Sequence, residues 1–69
     1  MMKLARLIYR DGISWYLPDG SRINPDIGTV VQGERKTYGT VSSYVIYFPG
    51  IAVGKPVLDG VFSRYFEFL

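Results

Sequence analysis

The sequence predicts an all-β fold of about five short antiparallel strands curled into a small barrel. Three observations lead there. Apolar residues recur with period two in several short runs, Asp-Gly and Pro-Gly pairs punctuate those runs, and no stretch sustains the periodicity of a long helix. Many short strands in a short chain favour closure, because closure removes exposed strand edges.

Residues 2–10 alternate. Lys3, Ala5, Leu7 and Tyr9 point one way, and Leu4, Arg6, Ile8 and Arg10 the other. A helix is also compatible with this segment, since Leu4, Leu7 and Ile8 would share one face. Asp11-Gly12 favours the strand: Asp-Gly between two apolar runs is a strong hairpin signal, as both residues tolerate positive φ. The second arm is then residues 13–17, with Ile13, Trp15 and Leu17 on one side and Ser14 and Tyr16 on the other. Trp15 belongs to the apolar row and is expected in the core. Tyr16 is expected to be exposed.

Pro18-Asp19-Gly20 reads as a turn, with Pro presetting φ and Gly accepting the left-handed position. Asn24-Pro25-Asp26 marks a loop, because Pro cannot donate to a ladder. Residues 27–33 read as a strand with Gly28 at its start. Residues 33–40, polar and bracketed by glycines, read as a hairpin tip. Residues 41–48, "VSSYVIYF", form the clearest strand: Tyr44, Ile46 and Phe48 face one side, Val45 and Tyr47 the other. Both faces are apolar or aromatic, as in a central strand. Pro49-Gly50 ends that strand, and residues 51–60 are turn-rich and close on Asp59-Gly60. Residues 61–69, "VFSRYFEFL", alternate again as a final strand.

The chain makes one domain, residues 1–69. It is 48 % hydrophobic and 20 % charged, a globular composition. Domains this small often require a disulfide, a metal or a partner chain. With no Cys and no His, disulfides are impossible and the usual zinc ligands are missing. A packed aromatic core and self-association remain as sources of stability. Four Phe, six Tyr and one Trp supply large apolar areas, yet six tyrosines exceed what so small a core can hide. Tyr is favoured at protein interfaces. The "YFEFL" terminus suits either burial in the barrel or docking on another chain. No apolar run approaches the ~20 residues of a membrane span, and "MMKLARLIYR" lacks the apolar region and cleavage site of a signal peptide. A cytoplasmic protein is expected, in keeping with the absence of Cys.

The segments "IGTVV", "SYVIYF" and "VFSRYFEFL", within residues 27–69, resemble the small SH3-like barrels. That pattern is a Gly-x-Val strand, a variable hairpin, a central Tyr/Val/Phe strand and a short Phe-containing closing strand. Peripheral subunits of photosynthetic electron-transfer complexes carry it, as do KOW-type ribosomal and transcription modules. The matching residues, Gly28, Val30, Val45 and Phe48, serve barrel packing. The resemblance therefore implies a fold and assigns no functional residue.

Most enzymatic chemistry lacks its groups here. The common nucleophile–base triads need His or Cys. Asp11, Asp19 and Asp59 each precede Gly in turn contexts, where the side chain serves the turn. "GIAVGKP", residues 50–56, fails as a phosphate loop: three residues separate its glycines, Pro56 replaces the hydroxyl residue, and no helix is expected after it. No catalytic, cofactor-binding or metal-binding residue is assigned, and the protein is expected not to be an enzyme. The favoured reading is a protein-binding module, an accessory subunit, adaptor or virus-encoded inhibitor of a larger machine, with self-association included. Its candidate contact residues are Tyr16, Arg35, Lys36, Tyr38 and Tyr47, with Arg35, Lys36 and Tyr38 clustered on the expected hairpin tip. The competing reading is a nucleic-acid-binding barrel using that same tip. A net charge of +2 gives it only a mild electrostatic drive.

Overall fold

The computed structural model describes residues 2–12 and 15–69. Among the described residues the protein is all-β apart from one short helix. Strands β1 (Met2–Leu7), β2 (Val30–Tyr38), β3 (Val41–Tyr47) and β4 (Lys55–Leu58) are followed by helix α1 (Asp59–Tyr65) and strand β5 (Phe66–Phe68). The five strands form one sheet in the order β4-β3-β2-β1-β5, and every pairing is antiparallel. The expected closure does not occur through hydrogen bonds: β4 and β5 are the two ends of the sheet, and α1 packs across β3, β4 and β5. No helix among the described residues is long and apolar enough to cross a membrane.

β1 confirms the strand reading of the N-terminal segment but stops at Leu7, three residues earlier than expected. Its partners also differ. The expected hairpin between residues 2–10 and 13–17 is replaced by pairing of β1 with β2, Ala5 opposite Val31, and with β5, Leu7 opposite Phe66. Ala5 and Leu7 are completely buried in this position. β1 thus gains two neighbours and a buried apolar row, where a local hairpin would offer it only one neighbour. Asp11-Gly12 remains a turn, with Gly12 at φ +85°, and it is tied down by Tyr65, whose Oη donates to the Asp11 carbonyl at 2.6 Å.

Ile13 and Ser14, the first residues of the expected second arm, lie outside the described residues. The rest of that arm turns back on the chain that follows it. Leu17 donates to the Ser21 carbonyl, Ile23 donates to the Trp15 carbonyl, and Tyr16 bridges Arg22. The Pro18-Asp19-Gly20 turn therefore sits at the head of its own small loop, closed by Gly20 N–H to the Leu17 carbonyl at 2.9 Å. Trp15 and Leu17 reach the core, as their places on the apolar row predict. The indole meets Phe48, Tyr65 and Phe66 edge-on, at ring separations of 6.1–6.4 Å.

Residues 33–40 are not a loop. β2 continues through Tyr38, with Arg35 opposite Tyr44, Lys36 opposite Ser43 and Thr37 opposite Ser42, and the turn is confined to Gly39-Thr40. Gly33 ends no strand; it lies inside β2 next to the Phe62 ring, and a Cβ there would meet Cε2 of that ring at 3.6 Å, an ordinary contact. Gly39, at φ +63°, supplies the conformation that the two-residue connection needs. β3 sits as expected between two strands, with Ile46 buried and Phe48, just past its end, buried as well.

The C-terminal segment departs furthest from expectation. Asp59-Gly60 opens a helix instead of closing a turn. Asp59 in the first turn and Arg64 in the last complement the helix dipole, and Ser63 Oγ bonds back to the Asp59 carbonyl at 3.1 Å. Phe62 and Tyr65, one turn apart, face inward together. The core thus joins Ala5, Leu7, Val31, Ile46, Phe48 and Val57 of the sheet and its margins to Trp15, Phe62, Tyr65 and Phe66. Gly60 is the weak point of the helix, and nothing lies within 4 Å of a Cβ built on it. Gly60→Ala should raise stability by roughly 0.5–1 kcal/mol through helix propensity, read as a shift in the urea midpoint.

Candidate protein-interaction surface

The register sorts the strand residues onto two faces, because residues directly opposite one another share a face. The inner face carries Ala5, Leu7, Val31, Gly33, Ile46 and Val57, and is covered by α1 and the long connection from β1 to β2. The outer face carries Met2, Leu4 and Arg6 of β1, alternate residues from Val30 to Tyr38 of β2, and Val41, Ser43, Val45 and Tyr47 of β3. No element covers it among the described residues. Its apolar side chains are accordingly open to solvent: Leu4 is 51 % exposed, Met2 46 %, Val30 42 %, Val41 53 % and Tyr38 69 %. Between β1, β2 and the Pro49–Ile51 turn this face sinks into a groove of about 570 Å³, lined by Met2, Leu4, Val30, Gln32, Tyr47 and Ile51.

The outer face carries four charged residues, and they cancel. Arg6 pairs with Glu67 across β1 and β5, and Lys36 pairs with Glu34 two residues along β2, at 3.4 Å. A side of the sheet with exposed apolar groups, an apolar-walled groove and no net charge is suited to contact with another apolar surface.

The five candidate residues divide between sites. Lys36 and Tyr38 lie on the outer face of β2, and Tyr47 lies on the same face opposite Gln32, half-buried along the groove. Arg35, adjacent in sequence, points to the opposite face and pairs with Asp59 of α1 at 3.0 Å. The expected basic tip is therefore split across the sheet, because its residues belong to a strand. Tyr16 stands apart in the long connection. Its side chain is exposed, and its carbonyl accepts a 2.7 Å hydrogen bond from Lys55 Nζ. Partial burial pushes the Lys55 ammonium below its ordinary pKa, whereas the Ser21 hydroxyl and amide hold the nearby Asp19 carboxyl below its ordinary value.

Met2, Leu4, Val30 and Val41 were not legible as site residues. The alternation in residues 2–10 does place Leu4 with Arg6, opposite Ala5 and Leu7. Nothing in the sequence, however, says that this side remains uncovered. Arg35→Ala should cost about 1–2 kcal/mol, since Arg35 is exposed but Asp59 is only partly so, with Oδ1 buried and unpartnered, and removal of Arg35 takes away the ion-pair partner of its Oδ2. Chemical denaturation would check this, and a larger loss would show that the pair clamps α1 to β2.

Comparison with known families, with curated proteins and with solved structures finds no match to this chain.

Proposed function

We propose that the protein acts by contact, as a non-enzymatic binding module that occupies a surface on another protein. The observation that carries this reading is the uncovered outer face of the sheet, where Met2, Leu4, Val30, Tyr38 and Val41 stand exposed around a neutral, apolar-walled groove. Leaving such side chains in water forgoes roughly 25 cal/mol for each Å² of apolar area that a partner would cover. Tyr38 is the strongest single anchor, being the most exposed large side chain of the face and of a type that often dominates interface energetics. An accessory subunit, adaptor or inhibitor in the cytoplasm accords with this mode of action, as does an SH3-like barrel used as a scaffold.

The nucleic-acid reading has less support. Arg35 and Lys36 face opposite sides of the sheet, and both are already paired with carboxylates. Phosphate binding gains from unpaired cations gathered on one surface. Affinity capture from the native host, with Tyr38→Ala and Val41→Ala run in parallel, tests the favoured reading. Each variant should keep the circular dichroism of the parent and lose at least tenfold in partner affinity, corresponding to about 1.4 kcal/mol or more. Retention on immobilised nucleic acid at physiological salt, unaltered by either substitution, would overturn it.

A further inference from the structure

We infer that the outer face of β2 and β3 is a self-complementary interface through which two copies of this chain associate face to face. The inference rests on the contact reading above and names the partner. Edge-to-edge pairing is poorly provided for. At one end of the sheet, β4 contains Pro56, which has no N–H to donate; at the other, β5 is three residues long. The face offers more. Its rows along β2 and β3 run Gln32 with Tyr47, Glu34 with Val45, Lys36 with Ser43, and Tyr38 with Val41.

Consider a two-fold axis in the plane of contact, perpendicular to the strands and midway between the Glu34 and Lys36 rows. It sets the Glu34–Lys36 pair of each copy, bridged at 3.4 Å within its own chain, against the same pair of the other in reverse order, so that Glu34 of each copy also meets Lys36 of the other, twice. It also lays Tyr38 and Val41 of each copy over Gln32 and Tyr47 of the other. The charged rows thus meet as opposites while the exposed apolar row at the hairpin end covers the half-buried Tyr47, which is the self-complementarity a two-fold interface requires. A strongly acidic or basic partner would find no matching net charge here. Nine residues make β2 about 30 Å long, and the strands lie ~4.8 Å apart, so the contact is at the small end of specific interfaces. Association should therefore depend on concentration.

Charge exchange tests the pairing directly. Sedimentation equilibrium on the full chain should show a monomer–dimer equilibrium. Lys36→Glu and Glu34→Lys should each weaken self-association at least tenfold, because each places like charges opposite one another twice. Mixed in equal amounts, the two variants should form a heterodimer, visible by native mass spectrometry, since every pairing is then opposite in sign. The double variant E34K/K36E should dimerise like the parent. Circular dichroism of each single variant confirms that the subunits are folded, and heterodimer formation requires that they are. A parent that stays monomeric throughout the concentration range would overturn the inference, as would single variants that fail to recover on mixing. If the monomeric parent nevertheless binds a different protein through Tyr38, self-association is overturned and the contact reading stands.

Discussion

Phe62→Ala should remove most of the stability of the fold. The Phe62 ring is 2 % exposed, stacks on Tyr44 at 4.1 Å and on Phe66 at 5.3 Å, and meets a tilted Phe68 ring at 5.2 Å. It joins α1 to β3 and to β5, filling the space where hydrogen bonds do not close the barrel. Truncating a buried Phe costs about 3–5 kcal/mol. A domain of this size holds roughly 3–10 kcal/mol in all. The variant should thus melt at least ~12 °C lower than the parent, or lose cooperative unfolding altogether. A shift of only a few degrees would mean that α1 contributes little to the core.

Gly54→Ala should be the most damaging single-methyl addition. A Cβ at Gly54 would overlap the Val45 side chain and come within 2.9 Å of Tyr47 Cε1. Neither neighbour yields easily: Val45 is branched at Cβ, and Tyr47 is a rigid ring on a strand. Overpacking of this kind costs about 1–3 kcal/mol. Gly54 does not have positive φ, so the cost arises from space alone. Because Tyr47 lines the groove, Gly54→Ala should also weaken contacts made there. Comparing its urea midpoint with that of Gly60→Ala, where a Cβ meets nothing, separates crowding from backbone effects. Equal midpoints would refute the close approach.

Strands that bury an alternating row were readable from the sequence. Tyr44, Ile46 and Phe48 place β3 correctly, and Ala5 and Leu7 mark the inner face of β1. Partners at long range were not readable, because an Asp-Gly pair reports a turn and carries no information about what the preceding strand pairs with. The segment 59–65 was misread for a different reason. Phe62, Arg64, Phe66 and Phe68 alternate as a strand would, but Phe62, Tyr65 and Phe66 also recur as on a helix, and burial against the sheet favours the helix. Gly33 was taken for a turn residue when it lies inside β2, beside the Phe62 ring. That error turned the end of β2 into a tip and placed Arg35 and Lys36 on one surface, which a strand of period two separates. Of the candidate contact residues, Lys36, Tyr38 and Tyr47 share a face because all three have the right parity in paired strands. That parity becomes visible only once the register is known.

Oxidative side-chain footprinting in host extract, compared with dilute isolated protein, tests most directly whether the outer sheet face is the working surface. Met2 and Tyr38 report the outer face, and Tyr16 reports the long connection on the other side of the chain's packing. If the outer face is occupied, Met2 and Tyr38 should become protected while Tyr16 keeps its labelling. Protection of Tyr16 with Met2 and Tyr38 fully labelled would contradict the account and move the interaction to the long connection.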